Sequence, residues 1–138
     1  MEQIFDITTR DALDVAVAEL RQHADKKVYY LEGTLGAGKT TFVQHWLRQA
    51  GYSGVVQSPT YALMNEYYIG QQTVIHADLY RLAAPDELLY LDVRDWGDRA
   101  ARIFIEWAQN GGDYLPAADV FCQFALRDGR RYLSVAAA

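Results

Sequence analysis

Eight residues constrain this chain more than all the others: Gly33-Thr34-Leu35-Gly36-Ala37-Gly38-Lys39-Thr40 spells the pattern G-x-x-x-x-G-K-[ST]. A loop of this kind turns successive backbone N–H groups toward the oxygens of a nucleotide's phosphates. Lys39 adds a mobile positive charge, and the Thr40 hydroxyl offers one ligand to Mg²⁺. With glycine near 7% of average sequence, the four fixed positions coincide by chance in roughly one chain of this size in a few hundred. The flanks lower that chance further. Val28-Tyr29-Tyr30-Leu31 is an apolar run that predicts a buried strand. After the loop, Phe42 and Trp46, then Val43, Leu47 and Ala50, recur at helical spacing up to Gly51, a helix stop. Strand, glycine loop and helix is the order the motif requires.

A length of 138 residues predicts one domain over residues 1–138, built around that loop. Hydrophobic residues make up 51% and charged residues 22%, the balance of a globular protein. No stretch approaches the ~20 apolar residues of a membrane span. Met1-Glu2-Gln3-Ile4-Phe5-Asp6 lacks the basic and apolar blocks of a signal peptide. The single cysteine, Cys122, has no intrachain partner and is expected to face the core. A cytoplasmic protein without a membrane role is the expectation. The net charge of −5 opposes independent binding to a polyanion. Arg127, Arg130 and Arg131 form one small basic cluster, read as a solvated hairpin end. A role in a nucleic-acid pathway would then run through protein partners.

Thr9 is placed to cap a first helix with Leu13, Val17, Leu20 and Ala24 on one stripe. Val55-Val56 suggests a short strand. Residues 61–68 and 73–76 flank Ile69-Gly70-Gln71-Gln72 and predict an antiparallel hairpin. Ala84-Pro85-Asp86-Glu87 reads as a helix start, with proline early and acids in the first turn. Arg102-Ile103-Phe104-Ile105-Glu106 has the pattern of a central strand closed by an acid. Gly111-Gly112 and Pro116 mark a loop. Val120, Cys122, Phe124 and Leu126 alternate up to the turn at Asp128-Gly129, and Leu133 and Val135 continue beyond it. The expected fold is α/β: a phosphate-loop three-layer sandwich whose mixed sheet has a parallel core widened by antiparallel hairpins.

A phosphate loop alone implies binding; hydrolysis also needs an acid at the metal and a group that orients water. Two acids close apolar runs. Glu106 ends Ile103-Phe104-Ile105 in the manner of a Walker-B acid, and Asp78 ends Val74-Ile75-His76-Ala77. The alternative for each is a helix cap or a surface acid, and the functional reading is favoured because the loop already calls for such a partner. Ser58-Pro59-Thr60-Tyr61 occupies the region where phosphate-loop proteins keep a γ-phosphate sensor, or else is a turn before a strand. Arg81 can contact phosphate or pair with Asp86 or Glu87. Trp107 is either core packing or an aromatic wall beside the nucleotide. His23, His45 and His76 lack metal-ligand spacing.

An Asn-Lys-x-Asp element and an Asp-x-x-Gly switch are both missing, which favours ATP over GTP. No segment resembles the arginine-rich lid of a small phosphotransferase. Gly33-Thr-Leu-Gly-Ala-Gly-Lys-Thr-Thr41, Ser58-Pro-Thr-Tyr61, His76-Ala-Asp-Leu-Tyr-Arg-Leu82 and Ile105-Glu-Trp107 occur in the order and approximate spacing of the TsaE (YjeE) family. The chain resembles that family from about Thr9 to Val135.

The resemblance implies a small ATPase of tRNA threonylcarbamoyladenosine biosynthesis. It implies ATP and Mg²⁺ as cofactors and association with the TsaB–TsaD pair, whose TsaD member transfers threonylcarbamoyl to adenosine 37. The ATPase is then weak alone and supports turnover of that machinery without carrying the transfer, and tRNA is met only indirectly. By motif match, Gly33, Leu35, Gly36, Ala37, Gly38, Lys39, Thr40 and Thr41 hold the phosphates. Thr40 and Glu106 serve the metal, and Asp78 the metal or the attacking water. Thr60 belongs to a switch-like segment, Trp107 lies near the nucleotide, and Thr9 approaches the base. Three positions depart from the family pattern: Thr34, Ala77 and Ala108 replace a common Asp, Phe and Pro. A nucleotide-gated regulatory module and a small-molecule kinase are the alternative functions.

Overall fold

The structure is a computed structural model that describes residues 2–34 and 38–138; Leu35, Gly36 and Ala37 of the phosphate loop lie outside the described residues. The apolar and alternating runs become seven strands: β1 (Glu2–Asp6), β2 (Val28–Glu32), β3 (Met64–Ile69), β4 (Gln72–Asp78), β5 (Arg102–Glu106), β6 (Val120–Arg127) and β7 (Arg130–Ala137). They form one sheet in the order β1-β7-β6-β2-β5-β4-β3. The middle four, β6, β2, β5 and β4, run parallel, and antiparallel pairs β3–β4, β6–β7 and β1–β7 extend both edges. The expected mixed sheet with a parallel core is therefore the observed one.

Two helices cover one face. In α1 (Arg10–Arg21) the Thr9 side chain accepts a hydrogen bond from the Ala12 N–H, the cap expected from sequence. Its buried stripe is Leu13, Ala16, Val17 and Leu20; the helix ends before Ala24, which was expected to extend it. In α2 (Lys39–Gln49), Phe42, Val43, Trp46 and Leu47 turn inward, and Gly51 follows the last turn at φ +104°, where a side chain would be strained. Phe42 and Trp46 meet Tyr29 from β2, Phe104 from β5 and Phe124 from β6, with most of these rings edge-on and 5.1–6.0 Å apart. Truncating Phe42 to Ala in this cluster would cost about 3–5 kcal/mol.

Strand alternation sends Ile103 and Ile105 to the opposite face. There they pack with Ile75, Ala77, Leu79, Leu88 and Trp96. That layer is made of short pieces: the 3₁₀ segments Pro85–Leu91 and Val93–Asp95, and the single turn α3 (Trp96–Arg99). The helix start expected at Pro85 is thus a 3₁₀ segment.

Other local expectations need correction. Val55 and Val56 form no strand, because β3 is the sheet's edge and Val55 is exposed. The hairpin strand begins at Met64, not at Tyr61, which is 85% exposed. The loop around Gly111 contains two 3₁₀ turns, Ala108–Asn110 and Gly112–Tyr114. Cys122 faces the core as expected, 1% exposed, and burial pushes its thiol up to about 12.

Candidate functional site

The parallel strands β2, β5 and β4 deliver their C-terminal ends to one edge of the sheet, where α2 begins. Ligand sites of open α/β sheets form outside such strand ends. Register then decides which side chains meet. Asp78 at the end of β4 stands opposite Glu106 at the end of β5, and Glu106 stands opposite Leu31 beside the phosphate loop. A cavity of about 290 Å³ opens there, lined by Gly38, Lys39, Thr40, Thr41, Ser58, Thr60, Asp78, Glu106 and Arg131. A neighbouring hollow of about 330 Å³ shares Lys39 and adds Gly33, Thr34 and Trp107.

Lys39 is 6% exposed, which a lysine tolerates only when its charge is met. Its Nζ donates to the Gly33 carbonyl at 2.6 Å and lies 3.8 Å from Glu106 Oε1. The same ammonium sits 5.3 Å from the centre of the Trp107 ring. Trp107 follows β5 in a left-handed conformation, φ +58°, and packs on Tyr80 with ring centres 4.9 Å apart. Trp107 packs against the buried cluster of the 3₁₀ layer and also lines the hollow beside Lys39, so the structure holds elements of both alternatives for it.

Glu106 is 4% exposed, and its second oxygen meets His76 Nε2 at 2.6 Å. His76 is completely buried, and its Nδ1 has no hydrogen-bond partner among the described residues. Lys39 and His76 therefore clamp one carboxylate from two sides. Sequence reasoning had set His76 aside for lack of metal-ligand spacing. The signal that could have found it is strand period: His76 and Asp78, two apart on β4, share a face.

Asp78 is 6% exposed, with Oδ1 accepting from the Tyr80 N–H at 3.0 Å. Burial, reinforced by the charge of Glu106, raises its pKa above the usual 3.8. Ser58 Oγ and Thr60 Oγ1 are hydrogen-bonded to each other at 2.7 Å on the cavity wall. Gly33, at φ +149°, lets β2 pass close to β6: a Cβ there would stand 2.7 Å from the Phe124 carbonyl oxygen.

The structure thus brings Gly38, Lys39, Thr40, Thr41, Thr60, Asp78 and Glu106 to one cavity, with Gly33 and Trp107 beside it. Leu35, Gly36 and Ala37 lie outside the described residues. Thr9 does not line either hollow, and its hydroxyl is engaged as the cap of α1. Arg81 stacks over the Tyr61 ring at 4.7 Å instead of pairing with Asp86 or Glu87. Glu87 accepts from the Ala83 and Ala84 N–H groups. The basic cluster is divided: Arg130 pairs with Asp6, whereas Arg131 lines the cavity. Of the three departures, Thr34 edges the neighbouring hollow, Ala77 is buried under the 3₁₀ layer, and Ala108 begins a 3₁₀ turn.

The donor set fits Mg²⁺. A hydroxyl (Thr40) and two carboxylates (Asp78, Glu106) are hard oxygen ligands, and Mg²⁺ characteristically takes one or two carboxylates together with phosphate oxygens and water. Among the described residues, no helix is long and apolar enough to cross a membrane.

Comparison with known proteins gives the family of the chain. Residues 7–132 match the family model described as "Threonylcarbamoyl adenosine biosynthesis protein TsaE". The chain is 40% identical over 119 residues to a tRNA threonylcarbamoyladenosine biosynthesis protein TsaE of Haemophilus influenzae, covering 86% of this chain and 75% of that one. It is 33% identical to the namesake protein of Treponema pallidum, over 79% of this chain and 81% of that one. The crystal structure of Bacillus subtilis YdiB superposes with a TM-score of 0.75 at 24% identity, covering 99% of this chain and 86% of that one, a likeness of fold.

Proposed function

Since the chain belongs to the TsaE family of threonylcarbamoyl adenosine biosynthesis proteins, we propose that it is the Mg²⁺-ATP-binding and ATP-hydrolysing component of tRNA threonylcarbamoyladenosine formation. The observation that carries this reading is the convergence on one cavity of Lys39, Thr40, Asp78 and Glu106, from three separate stretches of sequence.

Each residue has a physical task. Lys39 is held by Gly33 and Glu106 and is released toward phosphate oxygens when these enter. Thr40, Asp78 and Glu106 would hold Mg²⁺, which supplies charge neutralisation of the phosphates when bound. His76 and Lys39 fix the Glu106 carboxylate, so that it does not have to reorganise when the nucleotide arrives. Asp78, next to Glu106, accepts a proton from or orients water. Trp107 and Tyr80 form an aromatic wall beside the Lys39 ammonium. Ser58 and Thr60, bonded to each other at the rim, are free to exchange that bond for a terminal phosphate.

Hydrolysis by the lone chain is weak and rises with the TsaB–TsaD pair, which uses the cycle to turn over its transfer to tRNA. The division of the arginine cluster supports contact with tRNA through those partners: Arg130 is tied to Asp6, and Arg131 is turned to the cavity. The test is multiple-turnover threonylcarbamoylation of tRNA with purified TsaB–TsaD and either the parent chain or Glu106→Gln. The parent should sustain rounds of modification with phosphate release, and Glu106→Gln should bind ATP without sustaining them. If Glu106→Gln sustains modification like the parent, hydrolysis is not its contribution and ATP occupancy alone regulates the partners.

A further inference from the structure

The cavity contains a second cation that motif reading does not supply. Of its charged wall residues, Asp78 and Glu106 are the carboxylates suited to the metal, and Lys39 is the cation that the phosphate-loop motif supplies for the phosphates. Arg131 is the second cation on that wall. It stands one residue into β7, in register with Leu126 and beyond the turn at Asp128 and Gly129. Strand alternation puts it on the face of Leu133 and Val135, both buried under the helices, while Arg130 points to the other face.

Its backbone is fixed on both sides. The Arg131 N–H donates to Thr8 Oγ1 at 3.0 Å, and its carbonyl accepts from the Ile7 N–H at 2.8 Å. A guanidinium nitrogen lies 3.8 Å from where a Cβ on Gly38 would stand, at the very start of α2. Among the described residues, three arginine and lysine side chains form ion pairs besides Lys39: Arg130 with Asp6, Arg99 with Glu66, and Lys26 with its neighbour Asp25; Arg131 forms none. A planar guanidinium with no carboxylate partner, anchored at a phosphate-loop cavity, is suited to bidentate contact with phosphate oxygens.

We infer that Arg131 is a phosphate-binding residue of this chain, contacting the polyphosphate of the nucleotide from the β7 side of the cavity. The inference rests on the nucleotide reading of the cavity. It gives the site an arginine in cis, supplied by a hairpin far in sequence from the phosphate loop.

The experiment is equilibrium titration of the full chain with Mg²⁺-ATP, and competition by inorganic tripolyphosphate, for the parent, Arg131→Gln, Arg131→Lys and Arg130→Gln. The hydrogen bonds to Thr8 and Ile7 use backbone atoms, so the Gln and Lys variants keep the hairpin, which matching thermal midpoints would verify. Arg131→Gln should weaken ATP and tripolyphosphate alike, by about tenfold or more, the scale of a lost charge-assisted contact. Arg131→Lys should recover part of the loss, and Arg130→Gln should bind like the parent. Unchanged ATP affinity in Arg131→Gln, or a loss confined to ATP with tripolyphosphate unaffected, overturns the inference while leaving the nucleotide site intact. A parent that binds neither ligand overturns both readings.

Discussion

His76 Nε2 lies 2.6 Å from Glu106 Oε2, both groups buried at the C-terminal ends of neighbouring parallel strands. The contact leaves the carboxylate one orientation, with its other oxygen toward Lys39. His76→Leu should leave a buried carboxylate oxygen without a donor, at a cost of about 1–3 kcal/mol in urea unfolding. The same variant should need more Mg²⁺ for half-maximal ATP binding. His76→Gln, which keeps a donor, should recover part of the Mg²⁺ dependence. A His76→Leu protein with parental Mg²⁺ dependence would show that Glu106 needs no such positioning.

Asp78 predicts a trade between stability and function. Its raised pKa means that, between the usual 3.8 and the raised value, the folded state holds more protons than the unfolded one. Stability therefore falls as pH rises through that window. Asp78→Asn removes the penalty and can keep the bond from the Tyr80 N–H. In the nucleotide-free protein, its thermal midpoint should exceed the parent's at about pH 7 and approach it at about pH 4. Mg²⁺-dependent hydrolysis should drop in the same variant. A midpoint difference that is constant across pH would mean the Asp78 charge is not the source.

Gly33 tests how the phosphate loop is seated on the sheet. An alanine would combine a φ of +149° with a Cβ 2.7 Å from the Phe124 carbonyl oxygen. Gly33→Ala should destabilise the chain by about 1–3 kcal/mol, and should weaken ATP binding by moving the carbonyl that holds Lys39. Calorimetric unfolding and nucleotide titration check the two parts separately. Parental values in both would contradict the close approach of β2 to β6.

Much of this architecture is legible in the sequence, and the illegible parts have physical reasons. Glu106 and Asp78 are readable because each closes an apolar run in a parallel strand, and such runs end at the ligand-binding edge. The strand β1 is not readable: apolar Ile4, 74% exposed, sits outward between Glu2 and Asp6 while polar Gln3 is half-buried beside Phe5, so the polar-out alternation is broken. Arg131 is hidden because it adjoins Arg130 in a basic run. Only the hairpin register sends the two to opposite faces. Leu133 and Val135 held the needed clue, since residues two apart on a strand share a face. His76 looks like one more histidine until Glu106, thirty residues away, is placed beside it. Long-range pairing is the information that local patterns lack.

Whether the cavity at Lys39 is an ATP site is decided by calorimetric titration of Lys39→Ala with Mg²⁺-ATP. Circular dichroism and thermal unfolding should first show that the variant is folded. Losing the ammonium removes charge-assisted contacts worth ~1.5–3 kcal/mol, so affinity should fall by about one to two decades relative to the parent. Parental affinity in the folded variant would place nucleotide binding elsewhere on the chain.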